Sequence, residues 1–455
     1  MTRALRLLPA PLLLTVLLHA QTSPELTRIL QRLDQLEAQN QELLEEIRSL
    51  RGELAAVQGA TPATPPPTTE QAQAPTAPVE QRLDIAEHRI EEQAQSKVES
   101  SQKLPIRLTG MALFNSFLDS HQSGGSDYPT FAFAPGPGHA GATVRQTILG
   151  LEFRGPQAIW GGTVHGSVYM DFASGSAPLS QTMRLRTGSI EIDWASRSVL
   201  AGVEKPIFNP REPSSLAQVA VSPLAGAGNL WLWVPQVKFQ QDFSLSSQTG
   251  LRAATGVMET REVGPYPGGQ ATGNPEAFRP GWEGRFEFYH KFDDERRLEI
   301  APGFHASTTH FAGVSIPSDL FSLDWFFNPV RPLELTGFYY QGQNVAMLGT
   351  GGIRQGFDVD AGQAEPVHSR GGWAQLTVHA LPRLDFHLFS GQQDDRNSDL
   401  VSGSIAKNLI YGGNLYFRVA PNVLVGWETT QLRTVYLGQG TRINNHYDLA
   451  LAYLF

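Results

Sequence analysis

From about residue 105 to the end of the chain, apolar residues recur at every second position, and the pattern holds to the last one. Tyr447, Leu449, Leu451, Tyr453 and Phe455 alternate without a break, and the sequence stops on Phe455. A period of two places alternate side chains on opposite faces of a strand. A final strand in this phase, closed by a C-terminal phenylalanine, has the form that the outer-membrane assembly machinery reads. It is rare for a soluble sandwich to end this way, so the terminal strand predicts an all-β transmembrane barrel.

The remainder of the chain agrees with that expectation. Arg3 and Arg6 precede an apolar run from Leu7 to Leu18 that is too short to cross a bilayer as a helix, and Ala20 offers a small residue for cleavage. Residues 1–20 therefore read as an export signal. No later run approaches the roughly 20 apolar residues a membrane helix needs. With no cysteine in an exported chain, a disulfide scaffold is excluded. A mildly acidic balance argues against a nucleic-acid partner.

Residues 21–58 read as a periplasmic coiled coil. Leu26, Leu33, Asn40, Ile47 and Leu54 lie seven apart, and Ile29, Leu36, Leu43, Leu50 and Val57 form the second seam. A single amphipathic helix on a globular body would show a wider apolar stripe. Asn40 in the seam would fix register; the leucine-rich seams leave dimer and trimer both open. Residues 59–79 are rich in Pro, Thr and Ala and form an extended linker. Residues 80–104 suggest a second short helical segment.

Within 105–455, candidate strands of about 10 to 14 residues are separated by connections that alternate in length. Short ones fall near 155–157, 196–197, 246–247, 293–295, 331–332, 381–383 and 421–422. Long ones fall near 119–142, 173–182, 206–229, 260–281, 311–318, 346–367, 394–403 and 437–441. Tight turns on one side and long loops on the other predict about 16 antiparallel strands, with the turns in the periplasm.

Several stretches carry a resemblance to a known family. They are Pro105-Ile106-Arg107-Leu108-Thr109-Gly110, Arg145-Gln146-Thr147-Ile148-Leu149-Gly150 before Gly155-Pro156, and Arg184-Leu185-Arg186-Thr187. Ala201-Gly202-Val203 before a long third loop and Pro235-Gln236-Val237-Lys238-Phe239 continue the series. The chain resembles the DcaP-like trimeric porins and the related phosphate-selective porins O and P. The resemblance implies a homotrimer whose third loop narrows the pore, and passive uptake of small anions such as dicarboxylates or phosphate.

A pore selects through the charges at its constriction. By parity the lumen receives Lys238, Arg252, Arg285, Lys291 and Arg418, but also Glu152, Asp171, Glu191, Asp193, Glu283, Glu287, Asp324 and Glu428, a balance that does not announce an anion pore. Lys238, Arg252 and Arg285 lie on consecutive strands, with Glu283 and Glu287 two positions either side of Arg285 and able to pair with it. Arg184 and Arg186 share the parity of Ile190, Ile192 and Trp194, which places them outward, at the rim or a subunit interface, unless a bulge intervenes. The loop 206–229 is the constriction candidate, with Arg211 and Glu212 its only charges; an exposed surface loop is the alternative.

No cofactor or metal site is indicated. Asp395-Arg396-Asn397-Ser398-Asp399 spaces oxygens like a calcium loop but lacks the glycine and distal glutamate. No hydrolase motif occurs, so the chain does not read as an enzyme. The expected partners are a second and third copy of the chain, the assembly machinery, lipopolysaccharide and lipid, and small anionic solutes. In a rival reading the barrel anchors an envelope tether, and the coiled coil reaches peptidoglycan.

Overall fold

The computed structural model describes residues 106–174, 181–260, 280–311, 314–360 and 363–455. The export signal, the coiled coil with Asn40, the linker and the 80–104 segment lie outside the described residues. The first half of the barrel is built from β1 (Ile106–His121), β2 (Pro137–Thr143), β3 (Ile148–Gln157), β4 (Thr163–Ser174), β5 (Thr182–Trp194), β6 (Arg197–Glu204), β7 (Val234–Ser244), β8 (Thr249–Met258) and β9 (Gly281–Lys291). There follow β10 (Arg297–Phe311), β11 (Val314–Val330), β12 (Leu333–Gln343), β13 (Phe357–Asp360), β14 (Gln363–Pro366), β15 (His368–Leu381), β16 (Leu384–Asp395), β17 (Ile405–Ala420), β18 (Val423–Tyr436) and β19 (Gly440–Leu454).

All of these except β13 and β14, which pair as a separate hairpin, form one antiparallel sheet of 17 strands. β2 pairs with the loop-side half of β1 and β3 with its turn-side half, so the two are parts of one interrupted strand. β1 also pairs with β19 over nine residues, from Met111↔Leu454 to Asp119↔His446, and the sheet closes as a sixteen-stranded barrel. Closure is what lipid demands, because an open edge would leave a row of unpaired N–H and C=O groups in hydrocarbon.

The two faces separate by parity. On β1, Leu113, Asn115, Phe117 and Asp119 are buried inside, while Phe114 and Leu118 are exposed outside. Trp282, Phe286, Phe288, Phe321, Leu449, Leu451 and Tyr453 are likewise large apolar groups left exposed on the outer wall. An apolar outer wall around a polar interior is the pattern of a barrel in a membrane.

Three features differ from the sequence expectation. Apart from the interrupted β2–β3 strand, the barrel strands run from 8 residues in β6 to 17 in β11. The connection expected at 311–318 is only 312–313, because β10 and β11 continue pairing up to Phe311↔Val314. Ser315, Pro317 and Asp319 face outward there, above the apolar belt, and so look like loop residues. The connection expected at 437–441 is also tight, its N–H of Gln439 bonding to the carbonyl of Tyr436 at 3.0 Å. On the opposite rim, Asp293 caps the β9–β10 turn; a hydrogen bond from the Arg296 guanidinium holds its carboxyl down at about 2.

The last residue completes the seam. The Phe455 carbonyl accepts from the N–H of Gly110 at 2.9 Å, and the Phe455 N–H donates back at 3.1 Å. Its ring lies over Gly110, where a β-carbon would come within 2.8 Å of Phe455 Cζ and 2.3 Å of the Ile148 carbonyl oxygen. Deleting Phe455, or replacing Gly110 with Leu, is expected to lower the heat-modifiable folded form in outer-membrane fractions. Normal levels and normal gel migration of both variants would contradict this account of closure.

Candidate functional site

The connection 205–233 between β6 and β7 turns into the barrel. Its sequence explains how: Pro206, Pro210, Pro213 and Pro223 stiffen it, and small residues let its backbone lie against the wall. Phe208, Ala217, Ala220, Leu224, Ala225, Ala227 and Leu230 are all nearly inaccessible. Leu230 and Phe208 pack against Phe338, Tyr340, Trp373, Phe389 and Ile410 of the inner wall. At the tip, Gly228 has φ +92, and a β-carbon there would sit 2.3 Å from the Gly372 nitrogen and 2.5 Å from the Gln392 carbonyl oxygen. Only glycine fits that approach. Asn209 and Asn229 tie the loop to itself: the Asn209 amide donates to Asn229 Oδ1 at 3.0 Å and to the Leu230 carbonyl at 2.7 Å.

Anchors reach the loop from both sides of the lumen. On the β1–β3 side, Asn115 donates to the Leu216 carbonyl at 2.8 Å, and Gln146 Oε1 accepts from the N–H groups of Val219 and Ala220. On the β15–β18 side, Gln375 accepts from Ser214 N–H, Ser215 donates to Glu428 at 2.6 Å, and Asn408 donates to the Gly226 carbonyl. On the β9–β11 side, Glu283 accepts from Ile207 N–H at 2.7 Å. The loop thus crosses the lumen. The neighbouring connections 122–136 and 344–356 meet it at the mouth, where Trp231 N–H donates to the Gly349 carbonyl and Thr130 to that of Gly351. A cavity of about 500 Å³ opens between them, lined by Tyr128, Trp231 and Arg354 among others.

The β8–β11 wall carries a dense charge network. Arg285 binds Asp324 at 2.7 Å and Glu287 at 2.6 Å. Arg252 binds the same Glu287 at 2.8 Å and Asp242 at 3.1 Å. Arg211 extends from the loop to Asp324 at 2.7 Å and Glu299 at 2.5 Å, and Arg297 also binds Glu299. The four guanidinium groups face four carboxylates: Asp242, Glu287, Glu299 and Asp324. Of the residues singled out by parity, Arg252, Arg285 and Glu287 therefore converge, and Arg211 joins them. Lys238 does not; it lies inward on β7 at the level of Gly256 and makes no ion pair among the described residues. Glu283 does not bind Arg285 but His305 Nδ1, at 3.0 Å, because the N–H of Ile207 draws it toward the loop. Glu212 pairs with Lys205 at 2.7 Å and accepts from Ser222.

Arg184 and Arg186 correct the parity argument outright. The β4–β5 register passes from Tyr169↔Thr187 to Met170↔Leu185, skipping Arg186. This bulge turns both arginines inward while Met183 and Leu185 stay exposed outside. Both bind the fully buried Asp171, Arg184 through two contacts at 3.0 and 2.8 Å and Arg186 at 2.8 Å. Both also stack on Trp233, at 5.1 and 4.5 Å from the ring centre. Two guanidiniums on one carboxylate leave a net positive charge. Beside them Arg145 and Asp127 form a balanced pair at 2.6 Å, and burial pushes the Tyr128 hydroxyl up despite Arg145 and Arg184 nearby. Arg145, Asp127 and Trp233 were not legible as site residues, since a strand break and two loops place them. Asp324 was placed in the lumen by parity; Asp242, Arg297 and Glu299 share that parity and could have been found by it.

Asp395 and Asp399 do not converge. Asp395 accepts from Gln355 and Gln393, and Asp399 accepts from the His368 N–H. Among the described residues no group of three or more His, Cys, Asp or Glu could hold a metal ion.

Breaking a buried ion pair from one side costs roughly 3–5 kcal/mol, because the abandoned charge remains buried. Arg211→Ala leaves Asp324 and Glu299 short of a partner at the point where the loop meets the wall. The variant is expected to show noisier single-channel current and faster proteolysis within 205–233 than the unaltered protein. Identical current noise and proteolysis would show that the ion pairs do not hold the loop.

No protein-family model and no curated protein sequence matches the chain. Solved structures do. The outer-membrane channel DcaP of Acinetobacter baumannii superposes with a TM-score of 0.66 at 15% identity, covering 77% of this chain and 97% of that one. An anion-selective porin from Comamonas acidovorans gives 0.54 at 12% identity, over 78% and 100% of the two chains. The high-pH structure of Pseudomonas putida OprB gives 0.51 at 11% identity, over 77% and 94%. At such identities the likeness is one of fold. By fold, then, the chain is a sixteen-stranded transmembrane β-barrel similar to the outer-membrane channel DcaP.

Proposed function

We propose that this protein is an outer-membrane porin that lets small hydrophilic solutes diffuse passively, with a modest preference for anions such as dicarboxylates or phosphate. The observation that carries the reading is the loop 205–233, anchored to opposite walls inside a barrel wide enough, at sixteen strands, to hold water. A loop across such a lumen narrows it and presents chosen side chains to whatever passes.

Anion preference follows from charge imbalance. Arg252, Arg285, Arg211 and Arg297 are matched by neighbouring carboxylates, and matched pairs have little field at a distance. Arg184 and Arg186 share a single carboxylate, and Arg184 keeps 28% of its side chain accessible. These two, with Lys238 on β7 two strands away, carry the preference. Guanidinium groups lying over an indole can still offer N–H donors to a carboxylate or phosphate. The same reading includes a homotrimer, which the mass of the intact complex in detergent would test; a stable dimer or monomer would count against it.

Reconstitution in planar bilayers tests the function directly. Discrete large conductance is expected, whereas a silent barrel would favour the envelope anchor. Under a salt gradient the reversal potential should show weak anion preference that fades as salt rises and the Debye length falls below ~10 Å. Arg184→Gln with Arg186→Gln should abolish that preference, and Arg252→Gln with Arg285→Gln should shift it less. The opposite ranking, or cation preference in the unaltered protein, removes the assignment.

A further inference from the structure

The outer wall is not uniform. Arg370 on β15, Asp394 on β16 and Lys407 on β17 are cross-strand neighbours in one row, and Arg433 follows on β18. All four point away from the lumen, since the residues flanking them in sequence, Ser369, Gln393, Asn408, Leu432 and Thr434, are buried inside. Arg370 and Lys407 both approach Asp394 Oδ2, at 3.3 and 3.5 Å, and Arg370 keeps 67% of its side chain accessible. Arg433 is exposed and makes no hydrogen bond or ion pair among the described residues. Two cations therefore share one carboxylate, and a third, Arg433, stands unpaired beside them. On the loop-side half of the outward face, the other described strands carry no Lys or Arg.

A groove lies directly below this row. The register that aligns Arg370, Asp394 and Lys407 also aligns Ala374, Ser390 and Tyr411, each four residues further toward the turns. At about 3.3 Å per residue that is some 13 Å. Small side chains at Ala374, Ser390 and Gly413 make the floor, and Leu376 and Leu388 are among the walls of a space of about 630 Å³. Leu388 is 60% exposed. The side of the groove toward β19 is polar: Tyr411 donates its hydroxyl to Gln431, whose amide donates to Asn445 at 2.8 Å. Amide groups on a lipid-facing wall are costly unless bonded, and these are bonded to one another.

We propose that this wall binds a phosphorylated, multiply acylated glycolipid of the outer leaflet. Its phosphate groups lie on Arg370, Lys407 and Arg433, one acyl chain fills the groove, and the Tyr411–Gln431–Asn445 ladder faces its polar backbone. The vertical order of positive charge above an apolar slot matches an anionic amphiphile and no other outward patch repeats it among the described strands. A second copy of this chain is a poor occupant, because its own apolar belt would bury Arg433 unpaired and leave two cations to one carboxylate. Placing the row in the outer leaflet rests on the porin topology proposed above, with tight turns in the periplasm.

The test uses the full-length protein in detergent and native mass spectrometry with three added lipids: a bisphosphorylated hexa-acyl glycolipid, the same molecule after dephosphorylation, and phosphatidylglycerol. The bisphosphorylated form should be retained, its dephosphorylated form should not, and Arg370→Gln with Lys407→Gln and Arg433→Gln should weaken retention roughly tenfold or more. Ser390→Phe, which fills the groove and leaves the charges, should weaken it as well. Undiminished retention by both variants, equal retention of phosphatidylglycerol, or a change of subunit number in the triple variant would each overturn the proposal. Planar-bilayer conductance of the same preparations separates the two readings: it reports on the channel alone and should be unchanged in both variants, whatever the lipid result.

Discussion

A backbone N–H or C=O left unpaired in hydrocarbon costs several kcal/mol, and most of this structure follows from avoiding that. Sixteen strands can satisfy every rung only if the first meets the last, so the β1–β19 seam is the condition for all the others. Phe455 supplies two of its hydrogen bonds, and Gly110 leaves room for the ring. Once the sheet is closed, alternation is forced: one side chain in two faces lipid and must be apolar, while its neighbour is released to be polar inside. That is why Asp171, Glu283 and Asp324 tolerate near-complete burial, each with guanidinium, imidazole or backbone partners at hand.

The interior uses its polarity in two ways. Neutral amides carry the loop on the β1–β3 and β15–β18 sides, where Asn115, Gln146, Asn408 and Asn414 each bond to loop backbone. Charges carry it on the β9–β11 side, through Arg211. Amides hold a backbone without contributing to the field of the pore, so the sign of that field is left to the few charged groups. Most of those are paired, and the network on β8–β11 reads as a clamp.

How much of this was legible in the sequence depended on whether a residue obeyed the period. Strand number, the side of each tight turn, the terminal seam and the inward faces of β8 and β9 follow from alternation, and Arg252, Arg285 and Glu287 were placed by it. Arg184 and Arg186 were not, because one skipped residue in β5 reverses the parity of everything beyond it, and two arginines beside Leu185 give no local sign of a bulge. The interruption between β2 and β3 hides Arg145 in the same way. The extended tops of β10 and β11 were read as loop because an outward residue above the apolar belt has no reason to be apolar. Glu283 had the right face and the wrong partner: its distance along the strand from Arg285 suits pairing, but the N–H of Ile207, some 76 residues away in sequence, competes for it.

The bulge and the loop together decide which charges meet inside the barrel on this side. Had β5 kept its register, Asp171 would stand buried without cations, and the lumen would be acidic on that side. The skipped residue instead brings two guanidiniums to one carboxylate, and Trp233, at the end of the same loop that narrows the pore, covers them. Both guanidiniums lie over the indole, a contact that arginine makes better than lysine. In the porin reading proposed above, a solute must also leave, and the shared Asp171 would serve that end by cancelling half of the positive charge.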